Sequence, residues 1–318
     1  MEIFYNYFRG KASNPSLDSS SYLTSNLPAL SVQYKDFAAW QRKYLSRERL
    51  HNLSKFWKSK LDGFEMLNLI SDCQIRPPIY DYTGDEINFE LNEQTTAGLK
   101  QLAKNLNVTL FSLLLSAYTF MLSNYTNQQD IVIGTPAVNR NQSELEHLIG
   151  FFVNMLVLRI KIDPHDNTMD YIIKVSNEVI EAQIHQDMPF DCLVKEMQTE
   201  TDVSRHPIVQ VVFIMDNQFQ IKPSSTYQNT ESGKSTEISQ YSPNQQDFYT
   251  AKYDITTSIT ESDIRLKGYF NFATKIFEPS TINGFIRSFI NILHRFSQLK
   301  QTTKLSDIDC TDTAQKDQ

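Results

Sequence analysis

The chain has 318 residues, of which 40% are hydrophobic and 12% aromatic, a globular composition with enough apolar material for one large or two ordinary domains. Its 37 acidic residues against 30 basic ones leave a net charge of −7, opposite in sign to the footprint of a general nucleic-acid binder. Three cysteines far apart in sequence, Cys73, Cys192 and Cys310, fit a reducing, cytoplasmic compartment better than a disulfide framework.

The opening MEIFYNYFRGK has no basic stretch ahead of an apolar one and no small-residue cleavage site, so it does not read as a secretory signal. Residues 1–28 read as a short remnant helix followed by an exposed linker rich in Ser, Asn and Pro. From Tyr34, the apolar positions Phe37, Trp40, Leu45, Leu53, Phe56, Trp57 and Leu61 recur at helical spacing, which predicts two helices ending near Asp62-Gly63. After the turn Arg76-Pro77-Pro78, INFELN alternates as a half-buried strand does.

Leu99, Leu102, Ala103 and Leu106 mark the next helix. Leu110, Leu113, Leu114, Tyr118, Met121, Leu122 and Tyr125 mark another, with Thr109 as its N-cap. Phe111 and Leu115 make that helix apolar on several sides, so it belongs at the centre of the core. Its greasy run is broken by Ser112, Ser116 and Thr119 and falls short of the roughly 20 residues of a membrane span.

Asp130–Gly134 and Val153–Ile162 read as strands, joined by a polar loop carrying Pro136 and Arg140. Met169 to Ile184 is helical in period, Pro189 forces a break and a new start, and the β-branched run Ile208–Met215 reads as a buried strand. Residues 217–250 form a polar excursion. Two strands at 253–260 and 264–272 follow, then a helix marked by Ile282, Phe285, Ile286, Phe289, Leu293 and Phe296, and a tail after Leu305. Alternating strands and helices predict an α/β layered domain.

No two glycines lie closer than Gly84 and Gly98, which excludes glycine-paired phosphate loops and the G-x-S-x-G nucleophile elbow. No two histidines lie closer than His147 and His165, and there is no C-x-x-C, so no sequence-local metal site is expected.

Ordered segments carry a resemblance. YKDFAAWQ (Tyr34–Gln41) resembles Y-x-D-Y-A-x-W-Q. DIVIGTPAVNR, with Gly134 and Arg140, resembles D-I-V-x-G-x-P-x-A-G-R. IGFFVNMLVLR (Ile149–Arg159) resembles I-G-x-F-V-N-T-x-x-x-R, and HQDMPFD (His185–Asp191) resembles H-Q-D-x-P-F-E. TDVSRHPI (Thr201–Ile208) resembles R-D-x-S-R-N-P-L, and AKYDITTSI resembles the later A-K-F-D-L strand. These are signatures of the condensation domains of nonribosomal peptide synthetases, and the resemblance spans roughly residues 30–300. Departures include Asn139 for Gly, Met155 for Thr, Thr201 for the first Arg and His206 for Asn.

The resemblance implies a chloramphenicol-acetyltransferase-like α/β fold, a mixed β-sheet flanked by helices, with residues 29–305 as the C-terminal lobe and 306–318 as a tail. It implies a floor loop over about 135–150 and a latch-like excursion over about 217–250. It implies amide formation between aminoacyl or peptidyl thioesters presented on the phosphopantetheine arms of partner carrier proteins, with no covalently bound cofactor and no nucleic-acid or membrane partner. The family's H-H-x-x-x-D-G motif has no counterpart in these 318 residues: the sole Asp-Gly pair, Asp62-Gly63, follows Lys58 where a histidine belongs. The expectation is a C-terminal lobe without the catalytic histidine, inactive alone and completed by an N-terminal lobe in cis or in trans. The alternative is a non-catalytic module that binds a carrier protein or complements a separate half.

The motif residues are therefore Tyr34, Asp36, Trp40, Gly134, Arg140, Gly150, Asn154, Arg159, His185, Gln186, Asp187, Pro189, Phe190, Asp191, Arg205 and Asp254, none assigned a catalytic role. Each has a second reading. Asn154 either hydrogen-bonds near a channel or satisfies backbone at a strand end. His185 is either a general base or a helix C-terminal histidine, with Asp187 capping the next helix and Asp191 in its first turn. Tyr34 and Trp40 either line a channel or pack as core. Arg159 and Arg205 pair with carboxylates such as Asp36 or Asp254, or make surface bridges.

Overall fold

The computed structural model describes residues 30–73, 75–198, 202–217, 249–262 and 264–308. They fall into two compact units, one made of the chain up to Arg47 with Asn139–Phe152, the other of the remainder.

In the smaller unit, helix α1 (Tyr34–Tyr44) starts with a capping box in which Asp36 Oδ2 accepts the backbone N–H of Gln33 at 2.9 Å. Its only buried residue is Phe37, which packs with Leu145, Leu148 and Phe152 into a small apolar cluster edged by Val32. A short 3₁₀ turn, Ser143–Leu145, holds the second segment of the cluster.

The larger unit is a seven-stranded sheet with helices. In chain order it runs α2 (Arg47–Leu61), β1 (Thr83–Glu90), α3 (Glu93–Leu106), α4 (Leu110–Thr126), β2 (Asp130–Ala137), β3 (Asn154–Lys161), α5 (Thr168–Ile184), α6 (Phe190–Met197), β4 (Val211–Asn217), β5 (Tyr249–Thr250), β6 (Ile255–Glu261), β7 (Leu266–Ala273) and α7 (Pro279–Phe296). Sheet order is β3-β2-β4-β6-β7-β1-β5. The β2/β4 and β4/β6 pairs are parallel and the others antiparallel, so the mixed α/β expectation holds.

Helix α4 is the centre of the core, with every residue from Ser112 to Leu122 buried. Thr109 caps it, accepting from Ser112 N–H at 3.1 Å. Its buried hydroxyls are satisfied: Ser116 donates to the Leu113 carbonyl, and Thr119 to that of Leu115 while meeting the Tyr171 hydroxyl at 2.8 Å. Tyr118 touches Phe213 of β4, Phe270 of β7 and Phe289 of α7. The register places Ile87, Phe89, Phe270, Phe272, Ile255, Thr257 and Ile259 on that helix-covered face. Asn88, Tyr269 and Ser258 share the opposite face, the alternation expected of a sheet with one apolar and one polar side.

Two boundaries differ from the periodicity. The strand expected from Ile208 begins at Val211, because Ile208 has φ 64 and cannot enter a ladder. The tail expected after Leu305 is packed as far as Ile308: Leu305 and Ile308 are buried, and Leu305 N–H donates to Asp166 at 3.1 Å. The linker over residues 10–28 and nearly all of the 217–250 excursion lie outside the described residues.

Candidate functional site

Within the smaller unit, Tyr34, Arg140 and Gly150 come together. The Tyr34 hydroxyl donates to the Phe151 carbonyl at 3.0 Å, and its ring meets Phe152 edge-on at 5.2 Å. A β-carbon on Gly150 would collide with the Tyr34 ring, so glycine is required by close approach. The Arg140 guanidinium lies 4.1 Å above the Phe152 ring and donates to the Leu145 carbonyl. Tyr34 and Trp40 are not core residues. Both are more than a third exposed, Trp40 stacking on Tyr44 at 4.5 Å, because Phe37 takes the buried position between them. Ile149 and Phe151 stand out from the surface, Phe151 at 80% exposure.

Within the larger unit, Asn154 is a staple. Its Nδ2 donates to the carbonyls of Gln186 and Met188 at 2.9 and 2.8 Å, and its Oδ1 accepts from Phe190 N–H at 3.1 Å. That last bond satisfies the first orphan N–H of α6. The backbone-satisfying reading of Asn154 holds, and the cap comes from a strand 36 residues earlier.

Asp187 is therefore not the cap of α6. Pro189 occupies the N-cap position without a side-chain bond, and the Asp187 carboxylate instead accepts from Arg49 Nη2 at 2.8 Å. Asp191 lies in the first turn as expected, exposed. His185 closes α5. Its Nδ1 donates to the Glu181 carbonyl at 2.9 Å, its ring stacks on Phe56 at 3.5 Å, and its own carbonyl accepts from Trp57 Nε1 at 3.1 Å. With one ring nitrogen spent on the helix end and one face covered, the structural reading of His185 is the one the geometry favours.

The arginines find partners other than those expected. Arg159 forks onto Asp130, with Nε and Nη2 at 3.0 and 2.6 Å, and its Nη1 donates to the carbonyls of Lys60 and Asp62. The register explains the pair: Arg159 lies opposite Val132, which shares a face with Asp130, so the two meet diagonally across the ladder. The carboxylate raises the Arg159 pKa further. Asp254 is claimed by Arg76, whose Nη1 and Nη2 reach both oxygens at 2.9 and 2.5 Å. Arg205 meets Asp202 at 3.8 Å, a bridge within its own segment. Gly134 admits Met155 and Val209, either of which a β-carbon would strike.

A polar group that periodicity did not single out surrounds the Arg76–Asp254 pair. His206 lies between Tyr80 at 5.2 Å and Tyr253 at 4.6 Å, and Gln210 Nε2 donates to the His206 carbonyl at 2.9 Å. Among the described residues, Tyr80 Oη, His206 Nε2 and Gln210 Oε1 are buried without a hydrogen-bond partner. Burial raises the Tyr80 pKa and lowers that of His206. The only sequence signal was His206 standing where the resemblance has Asn.

The Condensation domain family matches residues 20–318. The chain belongs to that family. Among curated relatives, the N-(5-amino-5-carboxypentanoyl)-L-cysteinyl-D-valine synthase of Amycolatopsis lactamdurans is 38% identical over 288 residues, covering 91% of this chain and 8% of the relative. Among solved structures, the X-domain from teicoplanin biosynthesis aligns with a TM-score of 0.76 at 21% identity, covering 89% of this chain and 63% of that one. A four-domain nonribosomal peptide synthetase, solved with AMP and glycine, aligns at 0.71 and 20%, covering 83% of this chain and 20% of that one. The condensation-domain chain thus spans under a tenth of the length of that curated relative. Among its described residues, no single helix is long and apolar enough to cross a membrane, and no cluster of three or more His, Cys, Asp or Glu side chains is placed to hold a metal ion.

Proposed function

We propose that these 318 residues act as the C-terminal lobe of a nonribosomal peptide synthetase condensation domain. In the assembled domain, the amine of one carrier-tethered aminoacyl group attacks the thioester carbonyl of another; an amide forms and a thiol leaves. The match of the Condensation family across residues 20–318 carries this reading. The lobe's part is positioning: holding two tethered substrates in register lowers the barrier by proximity. Segment 135–150 serves as floor, and the excursion over 217–250 as latch. Both substrates arrive on phosphopantetheine arms of carrier proteins.

No H-H-x-x-x-D-G occurs in this sequence, and His185 is spent on packing, so the histidine that serves the amine is supplied by an N-terminal lobe. The test is a condensation assay with two loaded carrier proteins, run on this chain alone and with an N-terminal lobe added in trans. Product only with the added lobe is expected. Product from the chain alone, abolished by His185→Ala, would overturn it. Carrier binding without product in either format would favour a non-catalytic binding module.

A further inference from the structure

The segment Asp202–Gln210 is a turn tied to two neighbouring segments, with Arg205 N–H donating to the Asp202 carbonyl at 3.2 Å and the Gln210 carbonyl accepting from Asp254 N–H at 2.9 Å. Asp202 Oδ1 accepts from the Ser204 backbone and hydroxyl at 2.8 and 2.6 Å, the Ser204 carbonyl accepts from Arg76 Nε at 3.1 Å, and Val203 accepts from Tyr80 N–H at 3.0 Å. Past Pro207, Ile208 is fully buried at φ 64, a conformation that costs a β-branched residue more than any other kind and persists only when its surroundings impose it. A tight turn closes across it, Val209 N–H donating to the Pro207 carbonyl at 2.7 Å, and two residues earlier the His206 ring is clasped by Tyr80 and Tyr253.

Burial and the Arg76 cation oppose a second positive charge on that ring and outweigh the Lys252 backbone and Asp254, which favour one. From the 76–80 segment come Arg76, already cationic, and the phenol of Tyr80. From the 251–254 segment come the Lys252 backbone, to which the ring hydrogen-bonds, the Tyr253 phenol and Asp254. On its own segment are Asp202 and Arg205, paired with each other at 3.8 Å. Asp254 is the carboxylate that acts on the ring, and both its oxygens are bound by Arg76. Among the described residues, His206 Nε2 has no partner to share a proton's charge.

We propose that the Asp202–Gln210 turn is a pH-gated lock, closed over the uncharged His206 imidazole and opened when that ring takes a proton. The direction follows from linkage. Burial, the largest cause, lowers the His206 pKa in the closed turn, while an opened turn returns it towards the ordinary value of about 6.5. The open form therefore binds more protons. The lock has its full strength above that value and loses it as pH falls towards the lowered one.

Backbone hydrogen exchange on the full chain tests this. Corrected for intrinsic rates, opening of the 202–210 amides should rise by up to about tenfold between about pH 7.5 and about pH 5.5, while amides of α4 keep their protection. In His206→Asn the same amides should show no such dependence. Wild-type protection that is flat with pH would overturn the proposal, as would an equal dependence in the Asn variant or loss spread evenly through α4. Should that variant not fold, the wild-type imidazole resonance decides: a His206 midpoint at or above the ordinary value sinks the lock.

Discussion

Two regions of the larger unit handle buried polarity in opposite ways. Around the β2–β3 ladder, Asn154 makes three hydrogen bonds to the backbone of 186–190, and Arg159 reaches Asp130 and two further carbonyls. Around Asp254, one bidentate pair is complete, yet among the described residues three neighbouring polar atoms have no partner, and Ile208 stands at φ 64. The first region is a settled frame. The second stores unfavourable energy that the frame must outweigh, and its stability is conditional on protonation.

Substitutions can break that contrast. The largest loss is expected for Arg76→Ala, which strands the buried Asp254 carboxylate and should cost about 3 to 5 kcal/mol in urea unfolding. Arg159→Ala should cost about 3 kcal/mol, somewhat less because Asp130 is more exposed than Asp254 and can recover water. Asn154→Ala leaves two carbonyls and the first N–H of α6 unpaired and should lower stability by about 2 kcal/mol, with loss of helical signal confined to 190–197. Tyr80→Phe runs the other way. It deletes a buried hydroxyl that has no partner among the described residues, so stability should shift by no more than about 1 kcal/mol, upward if at all. A large loss from Tyr80→Phe would mean the second region is as fully bonded as the first.

The element order was legible in the sequence wherever one period dominated: α4 announced its central place through apolar residues on every side, and Thr109 marked its start. Motif residues were legible as positions but not as contacts. Asp187 looks like a cap by spacing alone, because a local signal cannot show that a strand asparagine has already taken the N–H. Arg159 and Asp130 need the ladder register before they can be paired, and Arg76 with Asp254 needs the whole sheet, the two being 178 residues apart. Ile208 misled for a related reason: its β-branched side chain favours strand, whereas the tight turn bond from Val209 N–H to the Pro207 carbonyl holds it at φ 64.

Helix α6 has eight residues, too few to be stable by itself in water, and it borrows its opening hydrogen bond from Asn154. Its first turn closes through Leu193 N–H to the Pro189 carbonyl at 3.0 Å, and β3 steadies that turn by covering the terminal N–H of Phe190. In a refolding experiment, helical signal from 190–197 should then rise in the same kinetic phase as β3 pairing with β2, making one side chain the timekeeper between a strand and a helix that are far apart along the chain.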